Sequence, residues 1–201
     1  MSYYQSDLTD EQWEIIAPFV AYQGGSIGRP REINTRNVID AILYVNKTGC
    51  QWRYLPEKFP HWKAVHKYFS LWRDKGIWQK INDALREKLR EIDERNKEPS
   101  ASIVDSQSVK TVQFGTQRGY DAGKKTKGRK RHIAVDTLGL LLMIVVHSAS
   151  IQDRVGVKSL LIKMAAKYRR LKTIFADGGY TGKLIAWCFA MFHWTIQSKT
   201  Q

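Results

Sequence analysis

Two aspartates, Asp105 and Asp177, each follow a short apolar stretch that predicts a β-strand. If the two strands are neighbours, their ends lie about 4.8 Å apart, and the carboxylates can share a divalent cation. Carboxylates are the hard oxygen ligands that Mg²⁺ prefers, and a pair of such ions could activate a nucleophile at a phosphodiester. Aspartates at strand ends also occur in turns and helix caps, so the pattern alone leaves both interpretations open.

A basic segment lies between the first aspartate and the next predicted strand. Six of the eight residues from 124 to 131 are Lys or Arg. Such a run is usually a solvated loop, but its position beside Asp105 favours contact with the phosphates of DNA. The candidate DNA-binding residues are Lys124, Lys125, Lys127, Arg129, Lys130 and Arg131.

The positive charge of the chain is concentrated in its second half. The 201 residues carry 33 basic and 19 acidic side chains, a formal net charge of +14. Residues 1–99 contain 16 basic and 14 acidic side chains, whereas residues 100–201 contain 17 basic and 5 acidic ones. This asymmetry predicts two domains, residues 1–98 and 99–201. The basic excess of the second indicates a polyanionic partner, most often nucleic acid.

The first domain is predicted to be helical. Thr9 and Gln12 have the spacing of a capping box at the start of a first helix. A second helix is predicted from about Asn34 to Gly49, and two more follow between residues 62 and 92. Short helices joined by tight turns are compatible with a helix-turn-helix-like DNA reader, although the spacing alone favours a bundle whose aromatic side chains form the core.

The second domain is predicted to be a mixed sheet with a helical cover. Residues 130–135 and 140–146 form a hairpin around a turn at residues 136–139, and the unbroken apolar run of the second strand suits a central strand covered on both faces. An amphipathic helix through residues 157–168 precedes the strand that ends at Asp177. The predicted fold class is therefore α+β, a helical domain followed by a mixed α/β domain.

Several protein classes are excluded by composition. The longest apolar run, residues 138–146, is too short for a membrane span, and the polar N-terminus lacks the pattern of a signal peptide. Two cysteines, Cys50 and Cys188, cannot form a disulfide framework or a zinc cluster. The five histidines have no metal-binding spacing, and we expect structural or surface roles for them. These features predict a reduced, cytoplasmic, nucleoid-associated protein with no membrane partner.

Eight short motifs follow one another along the chain, at residues 8–13, 28–30, 48–56, 105–110, 128–132, 136–139, 152–154 and 177–180. Together they resemble the transposases of the insertion sequence five family of bacterial insertion elements. The match is collinear and covers nearly the whole chain, so it is more specific than any single motif.

The resemblance implies an RNase H-like catalytic domain that uses a DDE acid triad with Mg²⁺ to cut and rejoin DNA at the ends of the element. Asp105 matches the first acid of the family and Asp177 the second, and the two would hold the metal. Asp136 and Asp153 also match family positions, but a turn and a helix start explain them without catalysis. The implied partner is the DNA of the element ends, and a homo-oligomer is compatible with the family.

The third acid of the family, a glutamate in a Tyr, Arg, Glu, Lys pattern, has no match in this sequence. Residues 178–201 contain neither Asp nor Glu. We therefore expect a DNA transposase whose catalytic domain is C-terminally truncated or completed from a second reading frame. The alternatives are a catalytically inactive DNA-binding fragment or regulator of transposition, and a product that does not fold stably.

Overall fold

The computed structural model describes residues 4–21, 33–111 and 118–198. The chain divides into two compact units, Met1–Leu85 and Arg86–Gln201. The motif at residues 28–30 lies outside the described residues. Within the three described ranges, no helix combines the length and the apolar character that a membrane crossing requires.

The first unit is built from helices, as the sequence predicts. The helices are α1 (Asp10–Val20), α2 (Thr35–Thr48), α3 (Trp62–Asp74) and α4 (Ile77–Ile92), the last of which continues into the second unit. The predicted capping box is confirmed, because the Gln12 amide donates to Thr9 Oγ1 and the Thr9 amide donates to Gln12 Oε1. Gly49 ends α2 with φ 68°, a left-handed conformation that glycine adopts without a steric penalty.

The second unit contains a six-stranded mixed sheet. Its strands are β1 (Ala101–Lys110), β2 (Gly119–Asp121), β3 (Thr126–Asp136), β4 (Leu141–Ser148), β5 (Thr173–Ala176) and β6 (Thr195–Ser198). The order β4-β3-β1-β5-β6 follows from the strand pairs, and β2 pairs with the beginning of β3. β1 is antiparallel to β3 and parallel to β5, and β5 is parallel to β6. These directions and this order are those of an RNase H-like sheet.

Two helices, α5 (Asp153–Lys167) and α6 (Lys183–Phe192), belong to the core on one face of this sheet. The buried residues alternate along β1, so that Val104 and Ser106 point into the core while Ile103, Asp105 and Gln107 are exposed. The core residues shared by sheet and helices include Val104, Ala134, Leu142, Leu160, Leu161, Met164, Ile174, Leu184 and Cys188. The opposite face, called the open face below, carries Asp105.

The predicted hairpin of β3 and β4 is confirmed, but the prediction that its second strand is central and covered on both faces is wrong. Among the described strands β4 pairs with β3 alone. Ile144 and Val146 on its open face are 42% and 48% exposed. An apolar run indicates that both faces of a strand are apolar. Whether other elements bury each face depends on residues that are distant in the sequence.

Asp136 has a structural role in the turn of this hairpin. Its carboxylate is fully buried and accepts hydrogen bonds from the amides of Leu138 and Leu140, each at 2.9 Å. Arg90 Nη1 lies 2.6 Å from Asp136 Oδ2, in an ion pair that is buried on both sides. The predicted turn is therefore confirmed, and burial keeps this carboxylate away from the open face.

Candidate active site

Asp105 and Asp177 lie at the same end of two adjacent parallel strands. β1 pairs with β5 up to Val104 and Ala176, so the residue that follows the last pair on each strand is one of the two aspartates. Adjacent strands are separated by about 4.8 Å. Both side chains are exposed, and both line a groove of about 850 Å³ together with Ile103, Phe175 and Gln197 among others. The structure thus brings the two sequence-predicted acids together.

Each of these carboxylates is oriented by one short local hydrogen bond. The Gly179 amide donates to Asp177 Oδ1 at 2.9 Å, which caps the 3-10 helix Gly178–Tyr180. The Ser106 amide donates to Asp105 Oδ1 at 2.7 Å. Neither carboxylate has an ion-pair partner among the described residues, so both negative charges remain available to an external cation.

The pair fits a hard divalent cation, with an incomplete set of protein ligands. Mg²⁺ is commonly held by one or two carboxylates and keeps several waters. In the part of the chain that the structure describes, no group of three or more His, Cys, Asp or Glu side chains could hold a metal. Two carboxylates are therefore the donor set that these residues supply.

The six basic residues predicted to bind DNA do not share one surface, because the segment is a strand hairpin and not a loop. Arg129 and Arg131 lie opposite Val109 and Gln107 of β1, and Asp105 lies opposite Ile133 in the same ladder. Cross-strand partners share a face of a sheet. Lys127, Arg129 and Arg131 are exposed and lie on the open face, and the Arg131 guanidinium donates to Gln107 Oε1 at 2.8 Å.

Lys130 points to the opposite face and is 3% exposed. Its ammonium lies 2.7 Å from Asp153 Oδ1 and 3.0 Å from Asp121 Oδ2, and it donates to the Ile151 carbonyl. Burial alone would lower the pKa of Lys130, but the two carboxylates outweigh it and raise that pKa above its ordinary value. Because its charge is already neutralised in the interior, we remove Lys130 from the candidate DNA-binding surface.

Lys124 and Lys125 occupy the turn between β2 and β3. The Lys124 ammonium donates to the carbonyl and the hydroxyl oxygen of Ser106, at 2.7 and 2.9 Å. Lys125 is exposed in a left-handed conformation with φ 48°. The hairpin tip therefore offers Lys125 to a ligand, while Lys124 ties the turn to β1.

Asp121 and Asp153 are held on the covered side. Burial tends to raise the pKa of Asp121, but hydrogen bonds from Ser108 and Lys130 outweigh it, and the pKa lies below its ordinary value. The pKa of Asp153 is also lowered, again because Lys130 outweighs burial. Asp153 is the first residue of α5, as the sequence predicts. Both carboxylates are occupied by Lys130 and do not join the pair on the open face.

A buried contact that sequence reasoning missed supports the segment after Asp177. The Tyr180 hydroxyl lies 3.1 Å from His132 Nδ1, and both side chains are almost completely buried. Burial raises the pKa of Tyr180, so its phenol stays protonated and can donate to the ring nitrogen. The apolar neighbours Ile133 and Val135 favour burial of the other face of β3, so no local signal in the sequence places His132 in the interior.

Two family models match this chain. Residues 8–82 match the model described as a putative transposase of the IS4/5 family. Residues 96–200, about half of the chain, match the model described as a transposase DDE domain.

Two curated proteins and one solved structure are similar to parts of the chain. An uncharacterized protein y4sN of Sinorhizobium fredii is 36% identical over 88 residues, which are 43% of this chain and 66% of that protein. An uncharacterized 16.2 kDa protein of insertion element IS402 from Burkholderia cepacia is 30% identical over 122 residues, 56% of this chain and 78% of its own length. The match to a chain in the crystal structure of a pre-cleavage Mos1 transpososome covers 87% of this chain and 61% of that one, with 10% identity and a TM-score of 0.27.

Proposed function

We propose, starting from the fact that this chain belongs to the DDE-domain transposase family, that its second unit binds DNA along the open face of the sheet. What supports the proposal is the register of β3 against β1. It puts Arg129 and Arg131 on the same face as Asp105, and the alternation along β3 adds Lys127, which pairs with Tyr120 of β2. A phosphate backbone held by these cations would run beside the carboxylate pair. Such contacts position DNA without reading its sequence.

The mechanism assigned to the site uses Asp105 and Asp177 as holders of a divalent cation. When bound, that cation would supply Lewis-acid polarisation of a phosphodiester and activation of a nucleophile. The protein would contribute orientation, through the amides of Ser106 and Gly179 that fix one oxygen of each carboxylate. A Cβ atom at Gly178 would meet no atom within 4 Å, so the backbone beside Asp177 faces open space.

The number of available carboxylates determines whether residues 1–201 can cleave DNA or only bind it. Residues 178–201 contain no Asp or Glu, and Asp121, Asp136 and Asp153 are engaged elsewhere. We therefore propose that residues 1–201 bind DNA, and that strand cleavage needs a third carboxylate in addition. Mg²⁺-dependent nicking of element-end DNA by these residues, lost in Asp105→Ala, would contradict this proposal. A regulator of transposition is the second candidate, favoured by the same incomplete acid set.

Neutralising the open face tests the DNA surface. The triple variant Lys127→Gln, Arg129→Gln, Arg131→Gln should weaken binding of every duplex alike, because the contacts are to phosphates. The slope of log affinity against log salt should fall by about 3, roughly one per contact. Fluorescence anisotropy over a salt series measures it. A matched control, Lys88→Gln, Arg95→Gln, Lys97→Gln, removes the same charge from exposed positions on and after α4. Equal effects of the two triples would contradict the assignment.

Removing the carboxylates tests the proximity of the pair to DNA. Asp105→Asn with Asp177→Asn should tighten DNA binding several-fold in metal-free buffer. Two unit charges 4 Å apart in water interact by about 1 kcal/mol, and here each carboxylate repels a phosphate. Mg²⁺ should shrink the difference by neutralising the wild-type pair. Asp93→Asn with Glu94→Gln, a matched loss of two exposed charges, should have little effect. Weaker binding by the first double variant would contradict the proposed path of the DNA.

A further inference from the structure

Helix α5 exposes a surface that neither the sheet nor the proposed site uses. Its buried side contains Val157, Leu160, Leu161 and Met164. On the opposite side an exposed stripe follows the spacing i, i+4, i+7 and i+11, through Val155, Ser159, Ile162 and Ala166. Val155 is 59% exposed and Ile162 is 52% exposed. The stripe is small and apolar, with a single hydroxyl.

Basic side chains border this stripe on both sides. Residues 154–172 contain seven Lys or Arg and no Asp or Glu. With 3.6 residues per turn, Arg154 and Lys158 lie roughly 70–110° to one side of the stripe, and Lys163 and Lys167 lie as far to the other. The Lys158 ammonium rests 4.9 Å from the centre of the Trp187 ring, which holds it at the border.

We propose that α5 binds in the major groove of a double-stranded DNA segment. That groove is about 12 Å wide and admits an α-helix. The stripe would face the base edges, where apolar groups contact thymine methyls and a serine hydroxyl can bond to any base. The two basic borders would meet the phosphates of the two groove walls.

The charge pattern favours DNA over a protein partner. In a protein interface the apolar stripe would lie at the centre of the contact. The partner would then have to match basic side chains along both borders of the stripe, where α5 offers it no acidic side chain. Two parallel rows of phosphates, one on each side of a groove, match this arrangement of charge directly. An acidic protein is the alternative that the experiment has to exclude.

This DNA segment is separate from the one proposed at the open face. α5 packs on the face of the sheet that carries Val104 and Ala134, whereas Asp105 lies on the other. A helix with its side chains is roughly 10–12 Å thick, so a duplex on its outer surface lies beyond reach of the aspartate pair. The second unit would therefore hold two duplex segments, and the proposal does not depend on the function of the open face.

The experiment measures binding of the whole 201-residue chain to a fluorescein-labelled, mixed-sequence duplex over a salt series. The variant Arg154→Gln, Lys158→Gln, Lys163→Gln should lower the salt slope by about 3. Protection of guanine N7 from methylation reports occupancy of the major groove. Ile162→Glu should abolish this protection, while Ile92→Glu, the same change at an exposed position of α4, should retain it. Thermal unfolding monitors that each variant is folded.

Three results would overturn the proposal. An unchanged affinity of the α5 triple variant excludes the surface from DNA binding. Retained N7 protection in Ile162→Glu places DNA elsewhere. Displacement of the duplex by polyglutamate at equal charge concentration identifies an acidic protein as the better partner. If the α5 variant loses binding while the open-face triple variant keeps it, the proposed function fails and the α5 proposal stands.

Discussion

Replacement of Lys130 by methionine is expected to lower the free energy of unfolding by about 3–5 kcal/mol. The substitution leaves the Asp121 carboxylate in the interior and the Asp153 carboxylate beside it without their shared cation. An uncompensated buried charge costs far more than the loss of an exposed ion pair. Urea unfolding, followed by circular dichroism, measures the difference.

The matched control for this prediction is Lys127→Met. Lys127 lies three residues earlier on β3 and is exposed on the open face, so its loss should change stability by less than about 0.5 kcal/mol. In DNA binding the order of the two effects should be reversed. Lys127→Met should lower the salt slope by about 1, whereas folded Lys130→Met should leave it unchanged. Restoring stability by adding Asp121→Asn and Asp153→Asn would identify the buried charges as the cause. Equal stability of the two single variants would contradict the buried role of Lys130.

Local signals in the sequence were sufficient for the helices of the first unit. The Thr9 capping box, the Asn34 cap and the left-handed Gly49 each fix a helix end through groups within a few residues. Such interactions join groups within about one helical turn, so no knowledge of the tertiary structure is needed to predict them.

The covered face of β3 could not be predicted in the same way. Ile133 and Val135 are its most apolar residues, which favours burial of the odd positions, yet the even positions Lys130, His132 and Asp136 are the buried ones. The side chains of a strand alternate between its two faces. Choosing the odd positions as buried in place of the even ones therefore assigns every side chain to the wrong face. The polar side chains are buried because their partners arrive from distant elements.

The adjacency of Asp105 and Asp177 also depended on an assumption that the sequence did not test. Parallel neighbours need a crossover connection, and here the chain between the two strands passes through β3, β4 and α5. Nothing local indicates that β5 returns beside β1. The register of that pair, which ends at Val104 and Ala176, is what brings the two carboxylates together.

Acidification from about pH 6.5 toward pH 4 should destabilise the second unit. Burial, assisted by the nearby His147, Lys130 and Lys124, lowers the pKa of His132 to about 4, although Asp153 opposes the shift. The unfolded chain, with a histidine pKa near 6.5, binds the proton first. Stability is therefore full above about pH 6.5 and falls by about 3 kcal/mol as the pH decreases toward 4.

His132→Gln should flatten this loss, since glutamine can still accept from Tyr180 and does not titrate. His66→Gln, a matched change at an exposed position, should leave the slope as it is. The pKa values of Asp121 and Asp153 are lowered, so their contribution is lost below about pH 4, outside this window. Unfolding free energies between pH 7 and 4 separate the two effects, and parallel curves for wild type and His132→Gln would contradict the assignment. Protonation of His132 in the folded protein also removes the acceptor of Tyr180, so the segment that follows Asp177 should loosen only as the pH approaches 4.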